Sequence, residues 1–359
     1  MTAADHAWGA RGAVLVDGRP VHYRRAGRRG APVVILLHGS PESASALNAV
    51  AAALAGRFDV IGLDTPGNGL SAALAQDDPA AVDYARHVLS FMEALGVARA
   101  GLYGFHTGAG TAMEAALLAP DRVAALALDG YAVWTQEERS DLLARYCTVY
   151  APVWDGSHLA RIWARLDEQL IFFPWNTPRL DARMNLPPTP MAIRLRRLRD
   201  WLTAWDTYPA PYRAAFKREG EIGPDRTHVP ILISAMDRDP LCAHLSRLDH
   251  LAETVEVQRW GEDRAAALAA IADHLANHPG PPAAGPDPSD PGLLDSLARP
   301  APRYNWEPDD HGGFLLKLWR GLRMEAIAKA PDQAALDAAL DPHALHRQVT
   351  AAIQYETGL

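Results

Sequence analysis

Gly104-Phe105-His106-Thr107-Gly108 is the stretch on which the reading of this chain turns. The residues before it, Ala100-Gly-Leu-Tyr103, form a short apolar run that reads as a strand. Those after it, Thr107 to Ala119, are rich in alanine, leucine and methionine and read as a helix. A chain that passes from strand to helix in so few residues must turn sharply. The middle residue is then strained, and its side chain stands clear of the sheet. Gly104 and Gly108 fit such a turn, because a Cβ at either place would collide with neighbouring elements. The side chain presented is the imidazole of His106. It can act as a base, a nucleophile or a hydrogen-bond donor, with an ordinary pKa of about 6.5.

The same alternation continues outward from this turn. Val33-Val-Ile-Leu-Leu37 is a continuous apolar run, as expected of a strand buried on both faces of a parallel sheet. Phe58–Leu63, Val123–Leu128, Val229–Ser234 and Thr254–Gln258 read as further strands, with helical stretches between them at Ala44–Leu54 and Tyr84–Leu95. Ala13–Val16 and Pro20–Arg24 flank Asp17-Gly18 and read as an opening hairpin. From Gly130 to about Gly220 no buried strand is legible. That segment reads as helices and carries Trp134, Trp154, Trp163, Trp175, Trp201 and Trp205. His278 to Pro302 is rich in Pro, Gly, Ala and Asp and marks a linker or long surface loop. A final helical segment runs from about Gly313 to Thr357. Gly156-Ser-His-Leu-Ala-Arg-Ile-Trp163 and Gly312-Gly-Phe-Leu-Leu-Lys-Leu-Trp319 echo one another, either as paired cap helices or through helical periodicity alone.

Three motifs fall at the ends of successive strands: Leu36-Leu-His-Gly-Ser-Pro41, Asp64-Thr-Pro-Gly-Asn-Gly-Leu-Ser71 and Gly104-Phe-His-Thr-Gly108. In order and spacing they resemble the H-G-x-P, D-x-P-G-x-G-x-S and G-x-S-x-G motifs of the α/β-hydrolase superfamily. The resemblance covers about residues 13 to 130 and 225 to 275, with histidine where most of that family has serine. It implies an α/β-hydrolase fold: a mostly parallel eight-stranded sheet with helices on both faces, a helical cap inserted after strand six and a helical C-terminal extension. The expected boundaries are 1–130 and 220–277 for the core, 131–219 for the cap, 278–302 for the linker and 303–359 for the extension.

The resemblance also supplies candidate partners for His106. The backbone N–H groups of Ser40 and Thr107 are expected to form an oxyanion hole, which needs no serine nucleophile. The hydroxyl of Thr107 is expected to point elsewhere. The superfamily's acid usually follows the seventh strand, where Asp237-Arg-Asp239-Pro offers Asp239 first and Asp237 second. Some relatives take the acid from the end of strand six instead, which here is Asp129. The family's own histidine has no counterpart after the last strand, where Trp260-Gly-Glu-Asp-Arg264 stands. Asp310-His311-Gly-Gly-Phe314 resembles a late replacement, with helix-start capping as the plainer reading of His311. His38, Phe105, Trp134, Trp154 and Trp175 are candidates to line the substrate site, although most cap aromatics are expected in the core. Arg161, Arg165, Arg194, Arg196 and Arg197 could engage a carboxylate, with a solvated helix face as the plainer reading.

Composition narrows the field further. The 359 residues are 48% apolar and 22% charged with a formal net charge of -8, which is ordinary for a globular protein and argues against nucleic acid or an anionic membrane as partner. Cys147 and Cys242 are the two cysteines and fit no disulfide framework or zinc spacing. Met1–Arg11 has no apolar signal-peptide core, and no run reaches the roughly 18 apolar residues of a spanning helix. A soluble cytoplasmic protein is expected. No nucleotide fingerprint and no metal-ligand spacing is present, so neither cofactor nor metal is expected. A homodimer is left open.

These residues point to a cofactor-free enzyme acting on a small apolar or aromatic carbonyl compound: an ester, lactone, thioester or activated C–C bond. Hydrolysis, lyase and isomerase chemistry all remain open. The competing reading is an inactive homologue that binds a small ligand or a partner protein. Serine-esterase action is disfavoured by the elbow itself.

Overall fold

The computed structural model describes residues 7–184, 186–218, 223–249, 251–297 and 306–356, with side chains to Gln354. The proline-rich residues 298–302 and the first residues of the C-terminal extension, 303–305, therefore lie outside the described residues, as do 1–6 and 357–359.

In chain order the strands are β1 (Ala10–Val16), β2 (Arg19–Gly27), β3 (Val33–Leu37), β4 (Asp59–Leu63), β5 (Ala100–Phe105), β6 (Val123–Asp129), β7 (Ile231–Ala235) and β8 (Val255–Arg259). The helices are α1 (Asn48–Leu54), α2 (Ala81–Ala94), α3 (Thr107–Leu118), α4 (Gln136–Arg145), α5 (Ser157–Ile171), α6 (Met191–Thr203), α7 (Pro209–Lys217), α8 (Arg264–Asn277), α9 (Pro291–Leu297), α10 (Gly313–Lys329), α11 (Gln333–Ala339) and α12 (Pro342–Glu356). They fall into two compact units, one of residues 1–147 and 207–295, the other of 148–206 and 296–359.

The first unit holds one eight-stranded sheet in the order β1-β2-β4-β3-β5-β6-β7-β8. Only β2 pairs antiparallel, with β1 and β4; every other pairing is parallel. The β1–β2 turn is made by Asp17 and Gly18, both at positive φ (51° and 72°), as a two-residue hairpin requires. Alternation along the strands divides the core. Ile35, Leu37, Leu102, Leu126 and Leu128 pack with α2 and α3 residues such as Phe91, Met92, Ala112 and Met113. Val34, Leu36, Tyr103, Ala127 and Leu232 pack on the opposite face with Val50, Leu54, Ile271 and Leu275 of α1 and α8.

The boundaries expected around the insertion shift here. Both α4 and α7 lie in the first unit. The reason is packing: Trp134, Tyr146, Tyr212 and Phe216 form one aromatic cluster. In addition, Arg247 makes a two-pronged ion pair with Glu138 of α4. The stretch expected to be a linker also belongs to this unit as far as Asp295. Asp287 accepts hydrogen bonds from Tyr23 and Arg25 (2.6 and 2.8 Å), and Ser289 and Asp290 bond the backbone of Ala13, covering the edge of β1.

The second unit explains the repeated Gly-to-Trp segment. Helix α5 packs on α6 and α10, and α12 packs on α6 and α10. Gly156 and Gly312 each cap their helix in a left-handed conformation (φ 78° and 72°). A Cβ on Gly156 would lie 2.8 Å from Trp319, and one on Gly312 would lie 2.4 Å from Trp163. The indole N–H of Trp319 donates to the carbonyl of Trp154 and that of Trp163 to Asp310, at 3.1 and 3.3 Å. Each tryptophan thus seats on the glycine of the other segment and bonds the carbonyl two residues before it. Two of the arginines expected on a solvated face are buried instead, while Arg161 is exposed: Arg165 is 1% exposed between Trp175 and Trp201, and Arg194 lies over Trp163. Guanidinium–aromatic stacking lets them sit there.

Candidate active site

The elbow is built as its glycines demand. His106 sits between β5 and α3 with φ 49° and ψ -110°, a conformation non-glycine residues rarely hold. A Cβ on Gly104 would lie 2.4 Å from the Gly108 carbonyl, and one on Gly108 would lie 2.2 Å from that of Leu37, so neither position accepts a side chain. The His106 carbonyl accepts from Ala109 N–H and its own N–H donates to the Asp129 carbonyl, pinning both ends of the turn.

The imidazole is tied to Asp239. His106 Nε2 lies 2.7 Å from Asp239 Oδ2, and the Leu241 N–H donates to Asp239 Oδ1 at 2.8 Å. Burial raises the Asp239 pKa, but the His106 charge, its hydrogen bond and the Leu241 N–H outweigh burial and hold it below the usual range. Burial likewise lowers the His106 pKa, while Asp239 through charge and hydrogen bond, with Asp129 and Glu42 adding charge, brings it above 6.5. A carboxylate only accepts, so Nε2 carries the proton and Nδ1 keeps its lone pair. The ring's Cδ2–Nε2 edge lies against Gly130, where a Cβ would stand 2.4 Å from Cδ2. Nδ1 is on the opposite edge of a side chain that is 30% exposed, and Phe105 stacks on the ring at 3.9 Å.

Two expected participants are used differently. The Ser40 N–H donates to Thr107 Oγ1 at 2.8 Å, and the Thr107 hydroxyl donates to Ser40 Oγ at 3.3 Å. The Thr107 side chain therefore holds one of the two backbone donors expected to bind an oxyanion. The Thr107 N–H lies at the α3 N-terminus, where no helical acceptor exists for it. The Asp129 side chain turns away from His106: its Oδ2 accepts from Tyr103 Oη and Arg264 Nη1 at 2.8 and 2.7 Å. Asp237 pairs with Arg259.

The other motif residues hold loops in place. Asp64 bonds His22 and the N–H groups of Ala44 and Leu70, which ties three segments together; a Cβ on Gly69 would displace it. His38 is 1% exposed, and its Nε2 accepts from Thr65 N–H while Nδ1 faces the Gly39 carbonyl. Its ring still lines a small open cleft together with Ser40, Thr107, Thr111, Tyr84 of α2 and Arg218 beside α7. Trp134 is in the aromatic core beside His244, whose pKa is pushed down to about 4 by burial and Arg247. Trp154, Trp175 and His311 belong to the second unit. There Arg323 lies over Trp154 and Arg165 over Trp175. His311 is exposed, and its N–H, with those of Gly313 and Phe314, bonds the Asp309 carboxylate that caps α10. Among the described residues, no cluster of three His, Cys, Asp or Glu side chains could hold a metal ion, and no helix is long and apolar enough to cross a membrane.

A strained elbow between β5 and α3, an aspartate beyond β7 and this strand order settle the architecture. It is the α/β-hydrolase fold. Residues 32–146 match the family model for the alpha/beta hydrolase fold. An uncharacterized hydrolase of Saccharomyces cerevisiae is 30% identical over 107 residues, 30% of this chain and 37% of that one. The match thus spans little more than a third of that relative's length. Epoxide hydrolase A of Mycobacterium thermoresistibile superposes with a TM-score of 0.58 at 20% identity, over 74% of this chain and 98% of that one. The enol-lactonase of Burkholderia xenovorans does so with 0.54 at 20% identity, over 74% and 99%. Within this α/β-hydrolase fold, sequence reasoning named His106 and Asp239 but missed Gly130, which makes room for the ring, and Tyr84 and Arg218 in the cleft. The Leu128-Asp-Gly130 strand ending was the one available signal for Gly130.

Proposed function

We propose that the first unit is a hydrolase in which His106 Nδ1 acts as general base on a small apolar or aromatic carbonyl compound. One observation carries this reading: the elbow presents an imidazole whose far nitrogen is held by a carboxylate at 2.7 Å. In the reaction Nδ1 removes a proton from water as its oxygen attacks the carbonyl, and the imidazolium then returns that proton to the leaving group. Asp239 steadies the cation between the two steps. The developing oxyanion meets the Thr107 N–H at the positive end of α3. An acyl-imidazole would be too labile to accumulate, so no stable acyl-enzyme is expected.

The test is turnover of p-nitrophenyl acetate by the wild type, His106→Ala and His106→Ser, with folding checked by circular dichroism. A loss of about a hundredfold or more in the alanine variant is expected for a general base. Unchanged turnover in that variant would remove His106 from the chemistry. Fluorophosphonates should label His106→Ser and leave the wild type unlabelled. One feature favours a second reading, a ligand-binding homologue: the Thr107 hydroxyl already engages the Ser40 N–H. A wild type without turnover, beside an active His106→Ser, would select it.

A further inference from the structure

The two backbone donors beside the elbow are in different states. The Thr107 N–H stands at the start of α3 with no helical acceptor. The Ser40 N–H is already engaged, by Thr107 Oγ1 at 2.8 Å. An oxyanion bound by Ser40 would lie about 2.7–3.1 Å from that nitrogen, so the hydroxyl oxygen stands where the oxyanion would. Three bonds separate Oγ1 from its own backbone nitrogen, which keeps it within about 4 Å of the second donor in any staggered rotamer. The hydroxyl is steadied in turn, because it donates to Ser40 Oγ at 3.3 Å. The Ser40 loop has other anchors: His38 Nε2 accepts from the Thr65 N–H at 3.0 Å, and the Glu42 N–H donates to the Gly39 carbonyl at 3.0 Å.

We propose that the Thr107 hydroxyl is the resting occupant of the oxyanion site, and that it yields to the developing oxyanion but not to the ground-state carbonyl. This rests on the hydrolase reading for its chemistry, not for the occupancy itself. A neutral carbonyl accepts no more strongly than the hydroxyl it would displace. A hydrogen bond to a charged oxygen is about twice as strong. The exchange is therefore favourable only as charge develops, which reserves the Ser40 N–H for the transition state. The movement required is a rotation about χ1. Thr107 is the first residue of α3, so no preceding helical turn blocks the other staggered wells. Gly108 and Gly110, which line the small cleft with it, present no side chain to obstruct the turn.

The probe is p-nitrophenyl methylphosphonate, a tetrahedral anion shaped like the oxyanion formed from p-nitrophenyl acetate, with binding read by calorimetry. Thr107→Ala removes the occupant and leaves both backbone donors in place. It should bind the phosphonate about three- to tenfold more tightly than wild type, the contribution of one net hydrogen bond. It should also lower KM for p-nitrophenyl acetate by a similar factor, because the freed Ser40 N–H can then take the ground-state carbonyl, with kcat changed less than KM. Thr107→Ser keeps the hydroxyl and should hold the phosphonate as the wild type does. Ser40→Ala removes the oxygen that steadies the hydroxyl but keeps the Ser40 N–H, and should tighten the phosphonate by less; it carries the test where Thr107→Ala does not fold. A hydroxyl that merely braced the loop would weaken the phosphonate in both alanine variants. Affinity that Thr107→Ala fails to raise, or raises no more than Thr107→Ser, would overturn the proposal, as would unchanged or weaker binding in Ser40→Ala should Thr107→Ala not fold. Tighter phosphonate in Thr107→Ala, beside a wild type that never turns over the acetate, would overturn the hydrolase reading and leave the occupant standing. Turnover lost in His106→Ala, with phosphonate affinity unmoved by Thr107→Ala, would do the reverse.

Discussion

The ends of β6 and β7 are neighbours in the sheet, and each supplies an aspartate near the elbow, yet only one serves His106. Asp129 is the last residue of β6 and obeys the strand's alternation. It shares a face with Ala127, packed toward α1 and α8, where Tyr103 and Arg264 take its carboxylate. Asp239 lies four residues beyond β7, in a turn closed by its own N–H on the Met236 carbonyl. Freed from the pleat, its side chain reaches across to His106 Nε2. A strand position dictates which side of the sheet a carboxylate serves; a loop position lets the fold aim it. The largest effect follows directly. Asp239→Asn should keep the fold and lower kcat by about 10⁴, as replacing the carboxylate behind a catalytic imidazole does elsewhere. Asp129→Asn should change kcat less than about tenfold and instead cost stability, on the order of 1–3 kcal/mol, seen as a lower Tm. Equal losses of kcat in the two variants would erase the distinction.

Gly130, between the two aspartates in the chain, sharpens the comparison. It holds φ +69°, and an alanine methyl there would meet the imidazole edge at 2.4 Å and Asp239 Oδ2 at 3.4 Å. Gly130→Ala should therefore turn the ring off Asp239 while leaving Asp129 with Tyr103 and Arg264. A displaced catalytic group of this kind lowers kcat by about a hundredfold, and the left-handed backbone adds about 1–2 kcal/mol of strain. Turnover near wild type would mean the His106–Asp239 contact is dispensable.

The pH dependence is a smaller and more selective probe. His106 must be neutral to act as a base, and its pKa is raised above 6.5, so kcat/KM should rise with pH through that elevated value. In Asp239→Asn the largest raising influence is gone and burial, which lowers the pKa, remains; the inflection should fall to lower pH. Asp129 contributes a lesser charge effect, so Asp129→Asn should shift it in the same direction by less. The linkage to stability has the matching sign. The raised His106 pKa contributes stability that is fully present below 6.5 and lost as pH climbs through the folded value. The depressed Asp239 pKa contributes stability present above the ordinary carboxylate range and lost as pH falls through its folded value.

What the sequence disclosed follows from the same physics. Buried parallel strands are continuous apolar runs, and the elbow needs its glycines, so β3 to β7 and the place of His106 are readable from local pattern. Asp129 and Asp239 both stand at strand ends, and choosing between them needs the pleat of β6, which sequence alone does not phase. The Thr107 hydroxyl is set by the approach of the Ser40 loop, a contact across 67 positions. Arg218 carries no motif, and Tyr84 looks like any apolar residue of a helix. His311 has the right neighbours in sequence for a catalytic histidine, but Asp309 organises that turn for helix capping. The Gly-to-Trp echo was visible as a pattern. That each tryptophan seats on the other segment's glycine required the pairing of α5 with α10.

The smallest expected effect is the most discriminating for the two aspartates. Tyr103 is fully buried, and its hydroxyl and Arg264 Nη1 both donate to the same oxygen, Asp129 Oδ2. Tyr103→Phe removes one of these donors without changing the ring. The carboxylate keeps Arg264, so the cost should lie near the low end of a single hydrogen bond, about 0.5–1 kcal/mol, read as a small drop in denaturation midpoint at constant slope. Tyr103 lies two residues before Phe105, the ring that stacks on His106, so a disturbance of β5 would be felt at the elbow. If Asp129 only anchors β6 to β5 and α8, the pH profile of kcat/KM should be unmoved in Tyr103→Phe. A shifted inflection would mean that the hydroxyl tunes the charge Asp129 presents to the imidazole. The two strand ends would then act on His106 together, and the division of labour between them would have to be given up.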